Sequence, residues 1–149
     1  MIIRDALLAY AHFFCIFLFA GLLASELAIF RKVLPADVFR RLAVLDRWYG
    51  VAAGLVIATG LSRLFFGLKG SAFYLHNPAF WMKMGLFLIV GLLSIAPTIA
   101  YIKWNGRLVP GGSLTLEDSE FRRIRGFLLA QLAIFIFIPL CATFMARGL

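Results

Sequence analysis

Four long apolar runs dominate the sequence, at residues 7–30, 48–68, 80–102 and 127–146. Each supplies about the 20 residues that an α-helix needs to cross a hydrocarbon core at 1.5 Å per residue. In lipid a backbone must satisfy its own polar groups, so runs of this length fold as helices. The first run outlasts the roughly 7–15 apolar residues of a cleaved signal peptide and is read as a span. The expected fold class is all-α, an integral-membrane four-helix bundle, with residues 1–149 as a single four-span domain.

The basic residues orient that bundle. Arg31, Lys32, Arg40, Arg41 and Arg47 lie between the first and second runs, and Lys103, Arg107, Arg122, Arg123 and Arg125 between the third and fourth. Against these ten, the opposite side carries Arg4, Lys69 and Arg147. Basic residues are retained in the cytoplasm, so both large loops are expected there and both termini outside, in the periplasm. The net charge of +8 would suggest nucleic acid in a soluble protein. Here 63% of residues are hydrophobic, against about 45–50% in soluble domains, and the charge is read as topology. The expected partner is the lipid bilayer, with no nucleic acid.

The loops carry helix signals. Pro35-Ala36-Asp37 reads as a helix start, followed by Val38, Phe39, Leu42 and Leu45 at helical spacing. Pro110-Gly111-Gly112 is a break, and Thr115 with Asp118 resembles a capping box with a shorter acid. The second helix is therefore expected from near Asp37 and the fourth from near Leu116, both extended into the cytoplasm. Gly50, Gly54 and Ala58, and Ala20, Ala24 and Ala28, recur at four-residue steps that suit close helix packing. Such faces also suit a homo-oligomer.

Polar groups inside a span need a reason, because lipid offers them no partner. His12 lies near the outer end of the first span, Arg63 in the outer turns of the second and Lys83 at the outer start of the third. His76 sits in the outer loop. Structural readings exist: the two cations reach headgroups, and the histidine bonds a neighbouring helix. Three ionisable groups at one depth on three helices also suit an anionic ligand inside the bundle. Haem matches, with an iron for an imidazole, carboxylates for cations and a flat apolar ring. Glu26, the one acid in a span, is expected to pair with Arg31, Arg47 or Tyr49, the alternative being a proton relay, and Gln131 to join it by hydrogen bonding. Cys15 and Cys141 read as buried fillers, or with His12 and Met82, Met84 or Met145 as a soft copper site. Pro97 and Pro139 are expected to kink the third and fourth helices.

The stretches Arg4-Asp5-Ala6-Leu7-Leu8-Ala9-Tyr10-Ala11-His12, Ala58-Thr59-Gly60-Leu61, Phe73-Tyr74-Leu75-His76-Asn77-Pro78 and Phe80-Trp81-Met82-Lys83-Met84 resemble a bacterial family of four-span inner-membrane proteins of unknown function. The resemblance covers the whole chain and implies a multi-pass protein of the inner membrane. More distantly, His12 followed by Phe19-Ala20-Gly21-Leu22 is similar to the opening helix of the haem-binding protoporphyrinogen oxidase of the HemJ type. The copper-resistance membrane protein CopD has a related opening. The HemJ resemblance implies a haem b ligated by His12, with Trp81 and Lys83 at the start of a later helix in comparable positions. In that reading Lys83 is the catalytic residue, and Lys83 or His76 is the second ligand or a distal group. Arg63 pairs with a propionate. The activity implied is a redox reaction on a porphyrinogen or a quinone-like carrier. Trp81 and Lys83 stand closer together than in that family, and its extra helices are missing. The alternatives are copper or small-ligand handling of the CopD kind and a non-enzymatic accessory subunit of a membrane complex.

Overall fold

A computed structural model describes residues 2–147. The chain runs α1 (Ile2–Ile29), β1 (Val33–Pro35), α2 (Ala36–Phe66), α3 (Gly70–Leu75), α4 (Pro78–Asn105), β2 (Ser113–Thr115) and α5 (Asp118–Ala146). Four of the helices, α1, α2, α4 and α5, are long and apolar enough to cross a membrane. They form an all-α bundle in which α1 packs mainly on α2 and α4 mainly on α5, with α1–α5 and α2–α4 contacts joining the pairs. Large apolar side chains such as Phe17, Ile102 and Ile136 stay exposed on the outer surface. That is the pattern of helices solvated by lipid, and the protein is a multi-pass membrane protein.

The helix ends follow from local chemistry. Pro78 begins α4, where a missing N–H goes unneeded, and the Asn77 side chain accepts from the Ala79 N–H at 2.8 Å. Helix α2 starts at Ala36, one residue from the expected Asp37. Helix α5 starts at Asp118, and its capping box joins Glu117 and Glu120 rather than Thr115 and Asp118. The reason is that Thr115 belongs to β2, paired with Val33. The Glu117 N–H instead donates to Glu120 Oε2 at 3.1 Å. Pro97 and Pro139 sit inside continuous helices.

The sequence carried no sign of the two strands. They pair antiparallel, with Leu34 opposite Leu114, and tie the two basic loops together. Both leucines are buried, and the flanking strand positions are exposed. The period of two thus seals the end of the bundle. Beneath this hairpin, Phe30 stacks on Phe121 and Trp104. At the opposite end Arg4 donates to the Phe66 carbonyl and Asp5 accepts from the Leu68 N–H, fixing the start of α1 against the end of α2.

The buried stripe of α1 is His12, Cys15, Phe19, Leu23 and Glu26, at helical three- and four-residue steps. That of α2 includes Tyr49, Ala52 and Val56. The expected small-residue packing faces are therefore misplaced. Gly50, Gly54, Ala58, Ala24 and Ala28 are not among the buried residues, and a Cβ added at Gly50 or Gly54 would meet nothing. Larger aromatic side chains fill the interior instead. Phe19 stacks on Tyr49 at 4.4 Å and meets Phe87 and Phe135, forming an aromatic layer across the bundle. It separates a polar region around His12 from another around Glu26.

Candidate functional site

One helical turn dictates the first half of the site. His12 faces inward because it shares the stripe of Cys15 and Phe19. Thr59 and Arg63, four residues apart, share a face of α2. The His12 Nδ1 lies 2.9 Å from Thr59 Oγ1. The threonine hydroxyl has a single proton, and it donates to the Leu55 carbonyl at 2.7 Å within its own helix. With that proton directed into its own helix, the hydroxyl is placed to accept from His12 Nδ1. In the tautomer with its proton on Nδ1, the imidazole leaves a lone pair on Nε2.

Gly60 makes room for this ring. A Cβ at that position would stand 3.3 Å from His12 Cε1. The ring is thus held on one side by a hydroxyl and seated on the other against bare backbone.

His12, Arg63 and Lys83 line one cavity of about 480 Å³, walled by Phe13, Phe17, Phe73, Tyr74 and Phe135. That volume is within the range of about 300–1,000 Å³ usual for small-molecule sites. A smaller cavity of about 100 Å³ adjoins His12 and Lys83 on the Gly60 side. The guanidinium of Arg63 lies over the Phe13 ring at 5.7 Å, and its buried Nε has no partner. The Lys83 ammonium lies over the Phe80 ring at 5.5 Å. The ion pairs among the described residues are Lys32–Asp118 and Arg107–Glu120, so neither cation has an acid. The cavity joins an imidazole lone pair, two uncompensated cations and apolar walls, a combination suited to an anionic, largely apolar ligand.

His76 and Trp81 lie elsewhere. His76 is exposed and bonds through Nδ1 to the Ala72 carbonyl at 2.8 Å. The exposed Trp81 donates to the Leu75 carbonyl at 3.0 Å. Two residues before Lys83, Trp81 points to the other side of α4, since i and i+2 do not share a helix face. Neither lines the cavity. Cys15 and Cys141 are buried free thiols. Among the described residues no three His, Cys, Asp or Glu side chains gather as a metal-binding group.

Thr59, Gly60 and Tyr74 belong to the site and were not singled out by reading residues for chemistry. The one signal in the sequence was the four-residue step from Thr59 to Arg63.

A family model described as predicted membrane protein (DUF2214) matches residues 4–149. No curated protein matches the chain, and no solved structure does.

Proposed function

We propose that this chain, which belongs to the DUF2214 family of predicted membrane proteins, is a haem-binding membrane protein with redox activity. The observation that carries this reading is the state of His12. Its Nδ1 is hydrogen-bonded to Thr59 Oγ1, and its ring lines an apolar cavity that also bears Arg63 and Lys83. Metal-ligating histidines are oriented in this way, through a hydrogen bond from the other ring nitrogen.

The residues fit a haem b. His12 would hold the haem iron through its imidazole. The aromatic walls suit a flat apolar ring, and Arg63 and Lys83 suit its carboxylates. When bound, haem supplies one-electron iron chemistry. The chain's own residues orient the ligand, exclude water and neutralise charge. Lys83, next to His12 in the adjoining cavity, is placed to give or take a proton at a substrate. A porphyrinogen or a quinone-like carrier reached from lipid matches the apolar walls. His76 and Trp81 have no part in this reading.

The test is an absorption spectrum of protein purified from cells supplied with haem. A Soret band is expected in the wild type and a lost or displaced one in His12→Ala. A wild-type preparation without the band, or a His12→Ala variant with an unchanged one, overturns the reading.

A further inference from the structure

Beyond the Phe19 layer lies a second polar region. Glu26 on α1 is 1% exposed. The expected pairing with Arg31 or Arg47 is absent, since the ion pairs among the described residues involve neither Glu26 nor Asp46. Glu26 instead lies beside the Asp46 carboxyl of α2, across the α1–α2 interface. Its Oε1 has no partner. Thr98 of α4 donates to Asp46 Oδ1 at 2.8 Å. Tyr49 donates to Gln131 at 2.9 Å, so the glutamine meets the tyrosine.

Glu26 is almost wholly enclosed and carries an unpartnered oxygen beside a second acid. No ion pair among the described residues compensates either acid, and a low-dielectric interior does not hold two like charges side by side, so one of them carries a proton. A buried proton is also reachable. Asp46, Arg47, Thr98, Tyr101 and Asn105 line a cavity of about 360 Å³ at the basic end of the bundle. The Tyr101 hydroxyl, on a residue 2% exposed, has no partner. The titratable and charged groups around the pair are Arg47 and Tyr49 from α2 and Tyr101 from α4, while α5 offers the neutral Gln131.

We infer that Glu26 and Asp46 form a proton-exchange site inside the membrane, loaded through the cavity lined by Asp46 and Tyr101. The ligand is a single proton, bound to one carboxyl and shared with the other. The positive-inside rule assigns this end to the cytoplasm. The inference stands without any haem at His12.

Infrared spectroscopy of the purified protein tests it. At neutral pH the wild type is expected to show the C=O band of a protonated carboxylic acid, shifting within minutes of transfer to ²H₂O. Glu26→Gln is expected to lose the band and Asp46→Asn to displace it, with helix content unchanged by circular dichroism. A folded wild type without the band overturns the site. So does a band unaltered in both variants, or one that exchanges only after unfolding. The exchange measurement uses the wild type alone and does not depend on either variant folding.

Discussion

His12 Nδ1 is hydrogen-bonded to Thr59 Oγ1 across the α1–α2 interface, at 2.9 Å. This bond decides which nitrogen of the ring faces the cavity with a lone pair. Removing the acceptor while keeping the shape isolates its role. Thr59→Val is expected to weaken haem binding about 10–100-fold, the usual effect of losing the partner of a ligating histidine. Thr59→Ser is expected to retain binding. Haem titration followed at the Soret band checks both, and equal affinity in Thr59→Val and wild type would refute the orienting role.

Gly60→Ala tests the seating of the same ring. The added Cβ would meet His12 Cε1 at 3.3 Å, so the imidazole must move by a few tenths of an ångström. A shifted Soret maximum with an unchanged helical spectrum is expected. A Gly60→Ala variant with wild-type optical properties would show that the ring has slack.

Arg63 separates stability from binding. Its buried Nε is unpartnered and its guanidinium has no acid. Arg63→Leu is therefore expected to hold or raise stability, by up to about 1–3 kcal/mol for a removed unsatisfied group. The same variant is expected to bind a dicarboxylate porphyrin more weakly. Unfolding in mixed micelles and porphyrin titration measure the two effects. Loss of stability without loss of binding would make Arg63 a structural residue.

Tyr49 and Gln131 form a buried pair whose members are worth more together than apart. Gln131→Leu leaves the Tyr49 hydroxyl unpaired and is expected to cost about 1–3 kcal/mol. Adding Tyr49→Phe is expected to restore part of that loss, because both polar partners are then gone. A double-mutant cycle on unfolding free energies reads the coupling, and simple additivity would contradict it.

Leu34 and Leu114 close the basic end of the bundle from opposite strands. Both are buried, so Leu34→Ala is expected to destabilise by about 2–5 kcal/mol through lost contacts and a cavity. Faster proteolysis in the 106–117 loop would accompany it. A stability change within error of zero would mean that the hairpin is peripheral.

The architecture was legible because a bilayer leaves a chain few choices. Runs of about 20 apolar residues must become helices, and four of them must find each other. Their number, approximate bounds and the start of α2 within one residue of Asp37 followed from residue order alone. The depth of His12, Arg63 and Lys83 was readable in the same way, because position along a span is position across the membrane. The two strands were not legible. Strands this short carry no detectable period, and their pairing joins Leu34 to Leu114 across two intervening spans.

Rotation about each helix axis, and the partner met there, required the tertiary structure. In lipid every face of a span is apolar, so hydrophobicity does not tell inside from outside. That is why Gly50 and Gly54 resembled a packing face and lie exposed, while Phe19 and Tyr49 fill the interior. It is also why Trp81 resembled a companion of Lys83 and points away from the cavity. Glu26 had basic neighbours in sequence, yet packing brought it to Asp46 and left one oxygen unpartnered. Residue order by itself determined four membrane helices and the layer at which polar groups lie. Only the packing of those helices decided which polar groups meet, because hydrogen bonds and cavities depend on helix rotation and a uniformly apolar surface does not encode it.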